Sequence, residues 1–143
     1  MRSQPRDESG TPLPLRSATA LRQLLAAREI SAGELLDACL AQVEQLNPSV
    51  NAVVALDIEG AKRRAREADE VAARGGSLGP LHGLPLTIKD SFEVVGMPTS
   101  SGFEELPNHR PTRDAMPVAR LRAAGAVIFG KTNLPPSATD HQS

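Results

Sequence analysis

Lysine is scarce in this sequence, and its placement is informative. The 143 residues contain only Lys62, Lys89 and Lys131; the remaining Lys and Arg positions are all arginine. Two of the lysines close apolar runs. Lys89 follows "LPLTI" (Leu84 to Ile88), and Lys131 follows "AVIFG" (Ala126 to Gly130). Arginine stays charged, whereas a desolvated lysine gives up its proton more readily and can serve as a base. Side chains alternate along a strand, so Thr87 and Lys89 are expected on one face and Ile88 and Asp90 on the other. Asp90, although adjacent, is therefore not expected to form an ion pair with Lys89. Two readings stand: a dry amine without a counter-ion, poised as a base, or a strand-end lysine whose head reaches water.

Two other motifs invite chemistry. "TSSG" (Thr99 to Gly102) offers adjacent serines, but Ser and Gly after Pro98 also make an ordinary polar turn. A serine nucleophile needs a base within reach and oxyanion donors, which sequence spacing alone does not establish. "GAVIFGKT" (Gly125 to Thr132) matches the phosphate-loop pattern letter for letter. A phosphate loop needs a strand before the first glycine and a helix opening at the lysine. Here the middle residues read as the strand itself, and Pro135 and Pro136 oppose a following helix, which argues against nucleotide binding. The lone cysteine, Cys39, reads as a small buried apolar residue on a helix. His82, His109 and His141 lack metal-ligand spacing, and the first two read as turn or surface residues.

The elements that would position these groups follow from periodicity and caps. A first helix is expected from Ser17 to Arg28, with Leu21, Leu24 and Leu25 as its apolar stripe. A second begins at Ser31, where Glu34 stands at capping-box spacing. It carries Leu36, Leu40 and Val43 on one face, with Leu35, Cys39 and Leu46 beside it. Asn47-Pro48 is expected to end it. "NAVVAL" (Asn51 to Leu56) reads as a strand. Asp57 then caps a third helix running to about Arg74, with alanines at 61, 65, 68 and 72 on a thin packing face. After the Lys89 strand and a proline-containing loop, a fourth helix is expected from Thr112 or Arg113 to Ala124, then the strand Ala126 to Phe129. Strands separated by helices argue an α/β fold with helices on both faces of the sheet.

Composition narrows the function classes. A net charge of −1 gives no general attraction to nucleic acid or an anionic membrane. No apolar run approaches the roughly 20 residues of a membrane span. The polar, proline-bearing residues 1–16 read as a disordered leader without a secretory h-region, and residues 17–143 as the folded part. One cysteine fits a reducing, cytoplasmic setting.

Taken in order, "GPLHGLPLTIKD", "GMPTSSG" and "DAMPVARLRAAGAVIFGKTNLP" resemble the amidase signature family from about Ser17 onward. The resemblance implies a mixed sheet covered by helices, of which this chain holds the N-terminal helices and first strands. It also implies hydrolysis of a small-molecule amide by a Ser–cis-Ser–Lys triad, without a cofactor. Lys89 matches the family's catalytic lysine. Asp90 matches the acid that follows it, with a structural role. Lys131, Thr132 and Asn133 match a segment that shapes the surroundings of the site. The family's two catalytic serines belong to a Gly/Ser-rich segment downstream of "GKTN", and nothing after Lys131 matches it. The expectation is therefore the N-terminal portion of an amidase, inactive alone, with its C-terminal portion missing or with a homo-oligomer as its assembled form. Pro136 and Ser137 also depart from the glutamate usual after "NLP". Within the family, an ammonia-supplying component of a tRNA-dependent amidotransferase is equally compatible. Outside it, the alternative is a non-catalytic remnant that binds a partner through apolar helix faces and an open sheet edge.

Overall fold

The computed structural model describes residues 10–139 except 77, 104 and 107. Residues 1–9 of the expected leader and His141 lie outside the described residues. Before the first long helix, Leu13–Leu15 form a short 3-10 helix, and Leu13 packs against the core.

Helix α1 spans Ala18–Ala27, and the Ser17 hydroxyl accepts a hydrogen bond from Ala20 N at 3.3 Å. Helix α2 spans Ala32–Val50. The Ser31–Glu34 capping box forms in both directions, with Glu34 N donating to Ser31 Oγ at 3.0 Å and Ser31 N to Glu34 Oε2 at 2.8 Å. That leaves the amides of Ala32 and Gly33, which donate to the Asp69 carboxylate at 2.7 and 3.1 Å. Each of the first three helical N–H groups thus has an acceptor, as a helix start requires. Pro48 does not end α2, contrary to expectation. A proline in the last turn forfeits only its own N–H bond, and Asn51, in the left-handed region, closes the helix by donating from its backbone N to Asn47 O at 2.8 Å. The Asn47 side chain also pairs with Val53, accepting from its N and donating to its O, both at 2.8 Å.

Strand β1 is Val53–Leu56, and helix α3 runs Ile58–Ala73 with the Asp57 carboxylate accepting from Gly60 N at 3.0 Å. Its predicted alanine face is buried at Ala61, Ala65 and Ala68 against α2. Strand β2 is Pro85–Lys89, α4 is Met116–Ala123 and β3 is Val127–Thr132. Helix α4 starts later than expected. Asp114, the nearest cap candidate, instead accepts from Val95 N at 2.7 Å and meets Arg122 Nε at 2.8 Å, and Pro117 sits in the first turn. Strand β3 runs further than expected because it is central: β1 pairs with it antiparallel, β2 parallel, in the order β1-β3-β2. Hydrogen bonds on both sides carry it through Gly130, Lys131 and Thr132. Gly130 leaves room there for β1, since a Cβ would lie 3.0 Å from Ala55 O.

The mixed sheet separates two apolar clusters. Leu21, Leu25, Leu35, Leu36 and the α3 alanines pack with Val127 and Phe129 on one face. Ile88, Val94, Met97, Val118 and Ile128 form the other. A register shift between Leu86 and Thr87 leaves Phe129 unmatched in the β2–β3 pairing, after which Ile88 stands beside Lys131. Such a bulge resets the alternation of the strand. It brings Lys131 to the face that holds Ile88.

Candidate active site

The ends of β2 and β3 carry the residues singled out from the sequence. The Asp90 N–H donates to Thr132 O at 3.0 Å, extending the ladder one step past Lys89. Ile88 and Asp90 are both buried and Lys89 between them is exposed, so the expected alternation holds. Within this chain the Lys89 head is exposed, as in the second of the two readings. The covered face of the strand end is the one that carries Asp90, and Lys89 points from the open one. Its amine has no hydrogen bond or ion pair among the described residues, and its carbonyl accepts from Phe92 N at 3.0 Å.

Lys131 is the buried lysine, with no exposed surface. An ammonium removed from water is costly unless all its protons are used, and here three acceptors surround Nζ. Asp90 Oδ1 and Thr99 Oγ1 each lie at 2.8 Å and Pro98 O at 3.3 Å. The other carboxylate oxygen, Asp90 Oδ2, accepts from Ser100 N at 2.9 Å and Ser100 Oγ at 2.7 Å. Burial alone would raise the Asp90 carboxyl. The hydrogen bonds from Lys131 and Ser100, together with the Lys131 charge, outweigh burial and hold it below the ordinary carboxylate value.

This network explains "TSSG". Ser100 is a donor to Asp90. Ser101 takes a left-handed conformation with φ 52°, and its N–H donates to Asp90 O at 3.3 Å. Gly102, at φ +77°, packs so closely on Leu134–Pro136 that a Cβ would lie 2.8 Å from Leu134 O. The turn reading accounts for these contacts. Thr132 is matched with Lys89 on one side and Val53 on the other. Asn133 N donates to Ala52 O at 2.8 Å and its side-chain amide to Asn51 O at 3.1 Å. The "GKT" residues lie within a strand with the lysine amine in an ion pair, a geometry that presents no phosphate cradle. His82 Nε2 donates to Ala68 O at 2.9 Å, and His109 Nε2 lies 3.3 Å from Glu93 Oε1. A cleft of about 660 Å³ lined by Leu40, Val43, Asn47, Pro48, Leu56 and Ile58 contains neither lysine.

The structure thus brings together Asp90, Ser100, Thr99 and Lys131, and leaves Lys89 beside them but turned away. The Lys131–Asp90 pair was not foreseen from the sequence. The one signal for it was a lysine at the end of a second apolar run.

The model of the family described as Amidase matches residues 34–143. This chain belongs to the amidase family. It is 41% identical over 121 residues to an acylamidase of Rhodococcus erythropolis, covering 85% of this chain and 25% of that protein. It is 44% identical over 119 residues to one component of the glutamyl-tRNA(Gln) amidotransferase of Acidothermus cellulolyticus, covering 83% and 24%. The solved peptide amidase of Stenotrophomonas maltophilia superposes with a TM-score of 0.81 at 38% identity, covering 87% of this chain and 26% of that one. The chain thus spans about a quarter of the length of these amidase-family relatives. The four α-helices and three-stranded mixed sheet among the described residues have the fold of that part of an amidase signature enzyme. No helix among the described residues is long and apolar enough to cross a membrane.

Proposed function

We propose that this chain is the lysine-bearing part of an amidase that cleaves carboxylic amide C–N bonds in a small-molecule substrate, and that Lys89 is its base. The observation that carries the reading is the division of labour at the end of β2: Asp90 is fully engaged by Lys131 and Ser100, so the neighbouring Lys89 amine has no counter-ion among the described residues. An unpaired amine becomes a competent base once its surroundings are dried. In the proposed reaction a serine hydroxyl attacks the amide carbonyl. Its proton passes through a second serine to Lys89 and is returned to the departing nitrogen, so that ammonia or an amine leaves. Water then cleaves the acyl-serine ester by the same proton route. Both serines, and the cover over Lys89, come from sequence beyond these 143 residues, so the chain by itself turns over no amide. The chemistry needs no cofactor, and the proposed setting is the cytoplasm.

The test is Lys89→Ala in a full-length enzyme that carries this segment. Loss of a general base lowers turnover by about 10²- to 10⁴-fold; turnover close to the unaltered enzyme removes Lys89 from the reaction. Amide hydrolysis by the 143-residue chain alone would refute the claim that it is inactive by itself. A second reading is favoured by the 44% identity to the amidotransferase component: the same hydrolysis supplies ammonia to a partner protein. Co-purification with partner proteins, and ammonia release only in their presence, distinguish it from a free-standing amidase. A non-catalytic remnant is left if no extended form shows turnover.

A further inference from the structure

The most heavily constrained group in the molecule is one that the proposed reaction does not use. Resting on the amidase reading above, we propose that Lys131 is a positioning residue that neutralises Asp90 and keeps its carboxylate turned away from Lys89, so that the catalytic amine has no counter-ion. Four features of the geometry support this. Lys131 is wholly buried, and its three ammonium protons face three acceptors, Asp90 Oδ1, Thr99 Oγ1 and Pro98 O. Asp90 uses both carboxylate oxygens, one on Lys131 and one on Ser100. Its backbone is fixed as well, with N donating to Thr132 O and O accepting from Ser101 N. A carboxylate held at so many points cannot swing round the strand end to the side chain one residue earlier.

Among the described residues, the charged groups in this network are Asp90 and Lys131. β2 contributes Asp90, and β3 contributes Lys131 itself beside the uncharged Thr132. The loop contributes Thr99 and Ser100, which are neutral. The turn after β2 contributes Glu93, whose carboxylate faces His109 Nε2 at 3.3 Å. If Lys131 loses its charge, Asp90, still held by Ser100 and its backbone bonds, becomes an uncompensated carboxylate in a buried site one residue from Lys89. Its unscreened negative charge favours the protonated amine through space, without a direct contact, and withholds the base.

The experiment measures the pH dependence of kcat/KM in the full-length enzyme for Lys131→Met, for Lys131→Met with Asp90→Asn, and for Lys89→Ala. In Lys131→Met the acid limb is expected to move up by about one pH unit, so that kcat/KM on the acid side of the limb falls about tenfold, the size of one nearby charge in a medium of intermediate dielectric. The double variant removes both charges, and its limb is expected to return to the unaltered position. A purely structural role for Lys131 would lower activity in both variants without moving the limb, and that result overturns the proposal. If Lys89→Ala keeps its turnover, the assignment of Lys89 as the base fails and the present inference with it; if Lys89→Ala is inactive and the Lys131→Met limb is unmoved, only the present inference fails. A measurement on the unaltered 143-residue chain covers the case in which Lys131→Met does not fold. NMR with labelled lysine is expected to show the Lys131 ammonium protons protected from water and close to Asp90 and Thr99, with no contact between Lys89 and Asp90. A Lys89–Asp90 contact, or a Lys131 amine exchanging as freely as that of Lys62, overturns it.

Discussion

Lys89 closes β2 and Lys131 lies one residue before the end of β3, on adjacent parallel strands, each after an apolar run. Their fates are opposite. Lys131 has no exposed surface and its ammonium is saturated by Asp90, Thr99 and Pro98. Lys89 is exposed, with no partner for its amine among the described residues. The difference lies in what is packed on each face of the sheet end. The loop from Pro98 to Gly102 folds over the Asp90 face and supplies acceptors. The Lys89 face has no such cover among the described residues. A strand-end lysine is therefore not a role in itself; the loop that reaches it decides whether its charge is spent on structure or left for chemistry.

The comparison is most sharply tested by removing each amine in turn. Lys131→Met leaves Asp90 as a buried, unpaired carboxylate, and breaking a buried pair from one side costs about 3–5 kcal/mol, to be read from the urea unfolding midpoint of the 143-residue chain. Acid reaches the same pair more gently. Because the folded-state Asp90 carboxyl lies below its ordinary value, the stability it contributes is complete above the unfolded-state value of about 3.9 and is lost as pH falls through the lower folded-state value. Thermal melts from pH 6 downward are expected to show a loss that begins only near pH 4–5, and Asp90→Asn should flatten it. Thr99→Val removes one acceptor from the Lys131 amine and is expected to cost about 1–3 kcal/mol, the penalty for a buried donor left unmet. Lys89→Met should be the mildest, within about 0.5 kcal/mol, as for a surface position without partners. A Lys89→Met loss matching that of Lys131→Met would abolish the distinction between the two lysines.

Much of the fold was legible because its signals are local. Ser31 and Glu34 are three residues apart, and the capping box they announce is present. Asp57 caps α3, and the alanine spacing marks the face that α3 buries. Each departure traces to a partner that helix and strand periodicity does not read. Pro48 is carried inside α2 by the closure at Asn51 and the bonds from Asn47 to Val53. Asp114 is drawn away from α4 by Val95 and Arg122. Strand β3 is prolonged by neighbours on both sides. At the candidate site, alternation along β2 correctly separated Lys89 from Asp90. It could not say which of the two faces would be covered.

From the residues alone came the starts of the first three helices, the order of elements, the period-two split between Lys89 and Asp90, and a likeness to amide hydrolases carried by ordered motifs. These depend on neighbours within a few positions, or on a string of residue types that can be read without coordinates. Only the folded chain decided that Asp90 belongs to Lys131, that Ser100 serves the carboxylate rather than a substrate, and that Lys89 stands on the open side. Those outcomes need a parallel strand pairing, a bulge at Phe129 and a loop closing over one face, all contacts between segments far apart in sequence. No local pattern encodes the free energy of such contacts, because it depends on which groups the finished fold shields from water.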